Sequence, residues 1–129
     1  MSAITPIQVE GTKRPAGHYS QAVVHAGVVY VAGQLPMNLE TGAIEAGSIE
    51  AQTELALRNV GRILEAAGSG LKHALQMTIF ITDMENWPRV NEVYARIMGD
   101  ARPARAVVPV LPLHYGVGIE ITCIAAVAS

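Results

Sequence analysis

The sequence predicts an α+β fold in which one face of a β-sheet carries two helices. Helical patterns alternate with strand patterns in the middle of the chain, and pairs of strands stand at both ends. Each helical pattern has one apolar stripe and one polar face, so the helices cover only one side of the sheet. The chain of 129 residues is 50% hydrophobic and only 16% charged, against about 25% charged residues in typical soluble domains. The bare side of the sheet is therefore expected to face another subunit.

The first third of the chain is predicted to form strands and loops. Residues 5–9 favour a short first strand. Residues 22–25 and 28–32 are β-branched runs separated by Ala26-Gly27, a pattern typical of a hairpin. Residues 33–47 contain a proline and several glycines and are predicted to form a long loop, and loops of this length are often functional.

Two helices follow, with a long strand between them. Ser48 is expected to cap the first helix, whose apolar residues recur at the helical period until Gly68 ends it. Residues 71–82 are predicted to form the strand. Asn86 is expected to cap the second helix, and Gly99 to stop it. The inner face of the second helix is predicted to carry its large apolar side chains, which are Trp87, Val90, Val93, Tyr94, Ile97 and Met98.

The later strands have strongly apolar faces. One face of the central strand is predicted to carry Leu75, Met77, Ile79 and Ile81, while the other face is too apolar to lie wholly in water. The last two strands are predicted over residues 104–110 and 117–127, joined by a Pro-Leu-His-Tyr-Gly loop.

Each of the last two strands carries a charge within an apolar stretch. Arg105 lies in Pro-Ala-Arg, and Glu120 lies in Ile-Glu-Ile. Charged side chains are almost never fully buried unless they are paired, and a lone buried charge is costly. The two charges therefore indicate a site with a cation for an anionic ligand and a carboxylate beside it. A structural ion pair between them explains the same pattern, and spacing alone favours neither explanation.

Composition excludes several classes of function. The net charge is −2, only Lys13 and Arg14 are adjacent basic residues, and aromatic residues make up 5% of the chain. These values argue against a dedicated nucleic-acid surface. No segment has the length of apolar sequence that a membrane helix needs, and the first ten residues lack a signal-peptide pattern, so we expect a cytoplasmic protein.

Neither cysteine nor histidine chemistry is indicated. Cys123 is the only cysteine, which fits a reducing compartment, and its place in a strand pattern predicts a small core residue rather than a nucleophile. The four histidines lack metal-ligand spacing with acidic or cysteine partners, so no metal is expected. Of the four, His114 lies in the loop before Glu120, where it can rim a cleft.

A set of collinear segments resembles the Rid family of reactive-intermediate deaminases, also called YjgF-type proteins. Each segment alone is a weak signal, but the ordered set spans residues 17–125 and is specific. The segments are Gly17-His18-Tyr19-Ser20-Gln21, Val31-Ala32-Gly33-Gln34-Leu35-Pro36, Thr41-Gly42, Asn59-Val60 with Leu64-Glu65-Ala66-Ala67-Gly68, Val90-Asn91-Glu92-Val93-Tyr94, Pro103-Ala104-Arg105 and Ile119-Glu120-Ile121.

The resemblance implies one Rid-type domain over residues 1–129 and a chorismate-mutase-like fold. That fold has a six-stranded mixed sheet with two helices packed on one face, and the bare faces of three subunits close a trimeric barrel. Ligand clefts lie between the subunits of this homotrimer. The implied reaction is the hydrolysis of 2-imino acids, or their enamine tautomers, to 2-oxo acids and ammonia, without a metal or organic cofactor.

The resemblance also assigns roles to individual residues. Arg105 would anchor the substrate carboxylate, since a guanidinium binds a carboxylate bidentately. Glu120 would position the water, because an imine carbon is already electrophilic and needs mainly orientation and a proton acceptor. Tyr19 matches a cleft tyrosine of the family, although a packing role also fits it. The remaining substrate-binding candidates are Gly33, Ala32, Val107, Asn91 and His114.

Three departures from the family pattern bear on the substrate. Ala32 stands where serine or threonine is common, Val107 stands where cysteine is frequent, and His18 replaces a proline before Tyr19. The cleft is therefore expected to be more apolar than usual, with a substrate other than the commonest one. Two alternatives stay open, a non-catalytic metabolite-binding member and a pathway-specific deaminase of an aminomuconate-like substrate. A ribonuclease is disfavoured because the sequence has no basic groove.

Overall fold

The computed structural model describes residues 3–128, which form a six-stranded mixed sheet with two helices on one face. The strands and helices are β1 (Thr5–Ile7), β2 (Ala22–His25), β3 (Val28–Gln34), α1 (Ile49–Ala66), β4 (Ala74–Ile81), α2 (Trp87–Met98), β5 (Ala104–Pro109) and β6 (Ile119–Ala126). The predicted α+β class, with both helices on the same face, is confirmed. The first two residues and the last residue of the predicted domain lie outside the described range.

The spatial order of the strands differs from their order in the chain. The sheet runs β1-β2-β3-β6-β4-β5, so β4 lies between β5 and β6. Only the β4–β5 pair is parallel, and the other neighbours are antiparallel. This order makes β5 an edge strand and β6 a central one, which decides the surroundings of their two charged residues.

Local sequence signals place the hairpin turn and both ends of the first helix correctly, whereas β1 ends two residues earlier than predicted and β3 two residues later. Ala26 and Gly27 both have positive φ, +51° and +77°, the geometry of a tight hairpin turn between β2 and β3. The Ser48 side chain accepts a hydrogen bond from the backbone N–H of Ala51 at 3.1 Å, which caps α1. After α1, Gly68 adopts φ +80°, and the N–H of Ser69 returns to the carbonyl of Leu64 at 2.8 Å.

The predicted cap of the second helix is wrong. The Asn86 side chain accepts no backbone hydrogen bond at the start of α2, because this residue already has helical backbone angles. A short 3₁₀ turn, Met84–Asn86, precedes the helix, and the Asp83 carboxylate caps that turn by accepting from the N–H of Glu85 at 2.9 Å. The Asn86 side chain instead accepts from Arg89.

The predicted central strand begins too early. Residues 71–73 form a 3₁₀ turn, and the pairing of β4 with β6 shifts by one residue between Ala74 and Gln76. This bulge leaves Leu75 outside the predicted inward face, and its side chain is 50% exposed. Beyond the bulge the alternation holds, and Met77, Ile79 and Ile81 are buried.

The hydrophobic core lies between the sheet and the two helices. Its largest fully buried side chains are Leu57, Ile63, Leu64, Met77, Ile79, Ile81, Ile119 and Ile121. Burying each such side chain contributes about 1.5–3 kcal/mol to stability. Cys123 belongs to this core, as predicted, and burial raises the pKa of its thiol to about 12. The thiol is therefore protonated at neutral pH and is not a nucleophile.

The opposite face of the sheet is left bare by the helices. Tyr30 on β3 is 44% exposed there, and β6 presents Thr122 and Ile124 to the same side. Among residues 3–128, no helix is long and apolar enough to cross a lipid bilayer.

Candidate active site

Arg105 is held by three residues of α2. Its Cζ atom lies 4.8 Å from the ring centroid of Trp87 and 5.0 Å from that of Tyr94. Its Nη1 atom donates a hydrogen bond to Oδ1 of Asn91 at 2.9 Å. Residues 87, 91 and 94 share one face of the helix because they are four and three residues apart. The helix therefore fixes the guanidinium through two cation–π contacts and one hydrogen bond.

The guanidinium is fixed without being neutralised. Asn91 takes one of its five N–H donors. Among residues 3–128, no carboxylate lies within ion-pairing distance of Arg105. Arg105 is also exposed, which contradicts the expectation of a buried charge, and the reason is that β5 is an edge strand. The guanidinium of Arg105 is therefore free to bind a carboxylate group that does not belong to this chain.

Tyr94 adds a buried hydroxyl beside Arg105. The residue is 6% exposed, and its hydroxyl has no hydrogen-bond partner in the part of the chain that the structure describes. Burial raises the pKa of this hydroxyl, and the charge of Arg105 acts in the opposite direction. A cavity of about 480 Å³ opens at this point, and its lining includes Asn91, Tyr94, Arg102 and Arg105.

Glu120 lies on the other face of the sheet, beside a bulge in β3. Between Val31 and Gln34 the strand advances three residues while β6 advances only two, so β3 carries one extra residue at Ala32-Gly33. The carboxylate of Glu120 fills the space where a side chain at Gly33 would stand, since a Cβ there would lie 2.9 Å from Cδ of Glu120. The missing side chain of Gly33 therefore makes room for the carboxylate.

A second cavity, of about 440 Å³, opens next to Gly33. Tyr19, Gly33 and His114 all line it, so the structure brings three of the predicted site residues together near Glu120. Tyr115 also lines the cavity, and its φ of +62° is unusual for a residue other than glycine. Such strained backbone is often found at functional sites.

Arg105 and Glu120 do not meet within one chain. Arg105 is level with Met77 of β4, whose side chain is buried under the helices, whereas Glu120 is level with Phe80, which points to the bare face. Two strand spacings and three residues of offset put their Cα atoms roughly 14 Å apart. Arg105 and Glu120 therefore form no ion pair with each other within the described residues of one chain, which was the alternative explanation.

Ala32 and Val107 stand close to the site but outside both cavities. Ala32 lies in the bulge next to Gly33, where its N–H donates to the carbonyl of Gln21 at 2.9 Å. Val107 is level with Ile79 and packs against the hydrophobic core. Neither contributes to the cavity lining that a single chain forms.

Trp87, Tyr94, Lys13 and Arg14 belong to this region but were not predicted as site residues. Trp87 and Tyr94 were predicted only as apolar residues of α2, although their spacing with Asn91 indicates a shared face. Lys13 and Arg14 line the Gly33 cavity, and nothing in the sequence around them indicated that they belong to a site. Among residues 3–128, no three His, Cys, Asp or Glu residues are grouped closely enough to hold a metal ion.

Comparison with known proteins identifies the family. The family model described as Endoribonuclease L-PSP matches residues 11–127, nearly the whole chain. The chain belongs to this family, which is the Rid family. A mouse relative named 2-iminobutanoate/2-iminopropanoate deaminase is 35% identical over 97% of this chain and 94% of its own.

Solved structures of Rid-family relatives share the fold. The crystal structure of a Thermotoga maritima protein described as a putative endoribonuclease is 44% identical, with a TM-score of 0.90 over 96% of this chain and 98% of its own. The structure of Escherichia coli TdcF with bound serine is 32% identical, with a TM-score of 0.89 over 96% and 99% of the two chains. The relatives thus carry names of both deaminases and endoribonucleases.

Proposed function

We propose that this Rid-family protein is a cofactor-independent hydrolytic deaminase that converts 2-imino acids, or their enamine tautomers, to 2-oxo acids and ammonia. The observation that carries the proposal is the guanidinium of Arg105, which is fixed by Trp87, Tyr94 and Asn91 but not paired with a carboxylate among residues 3–128. Such a group suits a substrate carboxylate. The mouse relative that is named a deaminase of 2-imino acids supports the reaction class.

The proposed reaction needs few groups. Arg105 binds the substrate carboxylate and so fixes the neighbouring C2 atom. Water attacks C2 as Glu120 accepts one of its protons, and the C=N double bond becomes a C–N single bond as Glu120 passes that proton to the nitrogen. The remaining hydroxyl proton then moves to the nitrogen, the C–N bond breaks, ammonia leaves and the C=O bond forms. The sum is imine plus water giving 2-oxo acid plus ammonia.

The proposed assembly is a homotrimer with its clefts between subunits. Arg105 and Glu120 lie on opposite faces of one sheet, roughly 14 Å apart, so one small imino acid cannot reach both within a chain. A cleft that joins Arg105 of one subunit to Glu120 of its neighbour removes this conflict. The bare sheet face, with its half-exposed Tyr30, supports association through that face.

The other candidates divide between the two halves of this cleft. Tyr19, Gly33 and His114 line the cavity on the Glu120 side, so we place their ligand contacts there. Asn91 acts on the Arg105 side by holding the guanidinium. Ala32 and Val107 contribute no polar side chain to either half. Their departure from the family pattern, rather than a contact with a cavity, is why we propose a substrate with a different side chain from the commonest one of the family.

Replacement of Arg105 tests the function. We expect Arg105→Ala to lower kcat/KM by about a hundredfold or more, and Arg105→Lys to lower it less, because a lysine keeps the charge but loses the bidentate geometry. Ammonia release from 2-imino acids, generated in place by an amino-acid oxidase, measures the activity. Arg58→Ala, an exposed residue of α1, is the control. A wild-type rate no faster than buffer for short, branched, aromatic and dicarboxylic imino acids contradicts the proposal.

A binding protein without catalysis is the second candidate. The observation that favours it is the lack of polar side chains at Ala32 and Val107, which leaves fewer groups to assist turnover. Calorimetry that detects 2-oxo acid binding, together with no ammonia release from the matching imino acids, would select this candidate. The cytoplasmic location and the lack of a nucleic-acid partner stay predictions from the sequence.

A further inference from the structure

Two cationic side chains line the cavity beside Glu120, in addition to the groups assigned above. Lys13 and Arg14 both line it, together with Tyr19, Gly33 and Tyr115, and its lining includes no aspartate or glutamate. Its volume of about 440 Å³ lies in the range of ordinary small-molecule sites. The proposed reaction needs one cation for the substrate carboxylate, and Arg105 already supplies it on the other half of the cleft.

The two cations are not neutralised by the protein. Four arginines form ion pairs with glutamates in the structure, Arg58, Arg62, Arg89 and Arg96. Lys13 and Arg14 are not among them, and neither side chain donates a hydrogen bond to any residue of the 3–128 range. Neither charge is therefore compensated within the described residues, and the Nζ atom of Lys13 lies beside Gly42 of the cavity lining.

The segment that carries the cations is fixed to the fold. The N–H of Lys13 donates to the carbonyl of Leu39 at 2.9 Å. The hydroxyl of the preceding Thr12 accepts from Gln8 at 2.9 Å and from the buried Gln21 at 3.1 Å. The stem of Lys13 passes close to Gly42, another lining residue. A fixed segment loses little conformational freedom when a ligand binds.

We propose that the substrate carries a second anionic group, a carboxylate or a phosphate, which Lys13 and Arg14 bind in this cavity. This inference rests on the proposed function, in which Arg105 of the neighbouring subunit holds the first carboxylate. The reacting carbon then lies near Glu120 and Gly33, and the second anionic group points to the loop of Lys13 and Arg14. The substrate class is thus a 2-imino acid with two anionic groups, which we call a dianion whatever the charge of its second group.

Matched pairs of product-like ligands test this proposal without depending on turnover. 2-Oxoglutarate and 2-oxopentanoate have the same chain length and differ in the distal carboxylate, and 3-phosphohydroxypyruvate and hydroxypyruvate differ in the phosphate. We expect calorimetry on the wild-type protein at low salt to show about tenfold tighter binding of the dianion in one of the pairs, and added salt to reduce this preference. The pair that shows the preference identifies the anionic group.

Charge variants locate the preference. Lys13→Gln and Arg14→Gln are each expected to remove most of the preference for the dianion, and the double variant should abolish it. The affinity for 2-oxopentanoate should change little in all three variants. Lys72→Gln, an exposed lysine outside the cavity, should leave the preference unchanged. Equal affinities within both pairs for the wild-type protein, or a preference that survives in the double variant, would overturn the proposal.

The results separate this inference from the proposed function. Release of ammonia from 2-imino acids with no preference for dianions keeps the deaminase and rejects the second anionic group. A preference for dianions that depends on Lys13 and Arg14, without ammonia release from any imino acid, keeps the second anionic group and rejects the deaminase.

Discussion

At the scale of single residues, Gly33 offers a direct test of the Glu120 carboxylate. A Cβ at position 33 would lie 2.9 Å from Cδ of Glu120, but the obstructing atoms are the mobile end of a side chain rather than backbone. We expect Gly33→Ala to turn the carboxylate away at a small cost in stability, below about 1 kcal/mol, because overpacking is costly only where neighbours cannot move. Turnover should fall by tenfold or more, because the proton acceptor is then out of position.

The control for this change is Gly70→Ala. Gly70 has extended backbone, and a Cβ there would meet nothing within 4 Å. Ammonia release and urea unfolding should both be close to wild type in this variant. Full activity in Gly33→Ala with an unchanged fold would show that the carboxylate does not need its observed position.

The two charged candidate site residues were found from the sequence, but the burial of one of them was not predicted correctly. Arg105 and Glu120 stand out because charges are rare in apolar strands, and that signal needs no structure. Burial of Arg105 was predicted wrongly, because alternation along a strand indicates its faces but not whether the strand lies at the edge of the sheet. The guanidinium contacts with Trp87 and Tyr94 depend on the same missing information.

At the scale of elements, one side chain of α1 holds the loop that lines the Gly33 cavity. Asn59 is 1% exposed, and its Nδ2 atom donates to the carbonyl of Met37 at 2.7 Å. We expect Asn59→Ala to lower the free energy of unfolding by about 1–3 kcal/mol, the cost of losing a hydrogen bond between a buried side chain and a partly buried carbonyl. Binding of 2-oxo acids should weaken as well, since Met37 lines the cavity. Urea unfolding and calorimetry measure the two effects.

Ser48→Ala serves as the comparison on the same helix. It removes an exposed N-cap and should cost about 1 kcal/mol without changing ligand affinity, because Ser48 does not line the cavity. Equal ligand affinity in Asn59→Ala and wild type would show that the loop keeps its shape without this hydrogen bond.

The elements were predicted well where their signals are local. The hairpin turn at Ala26-Gly27, the Ser48 cap and the Gly68 stop depend on residues within one turn of the chain, and all three were correct. The bulge that exposes Leu75 depends on pairing with β6, some fifty residues later, and was not predicted. The contacts of α2 with Arg105 depend likewise on a strand outside the helix, and they were not predicted.

At the scale of the whole molecule, the order of strands decides how the site is assembled. The sequence places Arg105 and Glu120 on consecutive strands, whereas the sheet inserts β4 between them and turns their side chains to opposite faces. Chain order does not determine spatial order, so the sequence could not show that these two residues lie on opposite faces of the sheet. The bare sheet face is a feature that the sequence did predict, because each helix has a single apolar stripe and so covers only one side of the sheet.

Complementation between two inactive variants tests whether neighbouring subunits complete the cleft. If Arg105 and Glu120 of one cleft come from different subunits, co-expression of Arg105→Ala chains with Glu120→Gln chains should restore activity. Random assembly makes about three quarters of the trimers mixed, and each mixed trimer has one cleft of three with both residues intact, so roughly a quarter of the wild-type activity should return. Sedimentation should give three times the 13.7 kDa mass of the chain.

The control pairs Arg105→Ala chains with chains that carry both substitutions. No cleft in that mixture has an intact Arg105, so the mixture should stay inactive although its subunits assemble in the same way. Native mass spectrometry verifies that mixed trimers form in both experiments. Mixed trimers without recovered activity would show that no active cleft combines Arg105 of one subunit with Glu120 of another, and the proposed division of the cleft would be wrong. Recovery near a quarter would mean that each subunit gives Arg105 to the cleft with one neighbour and Glu120 to the cleft with the other. That arrangement is the one expected of a heterologous interface that closes into a ring.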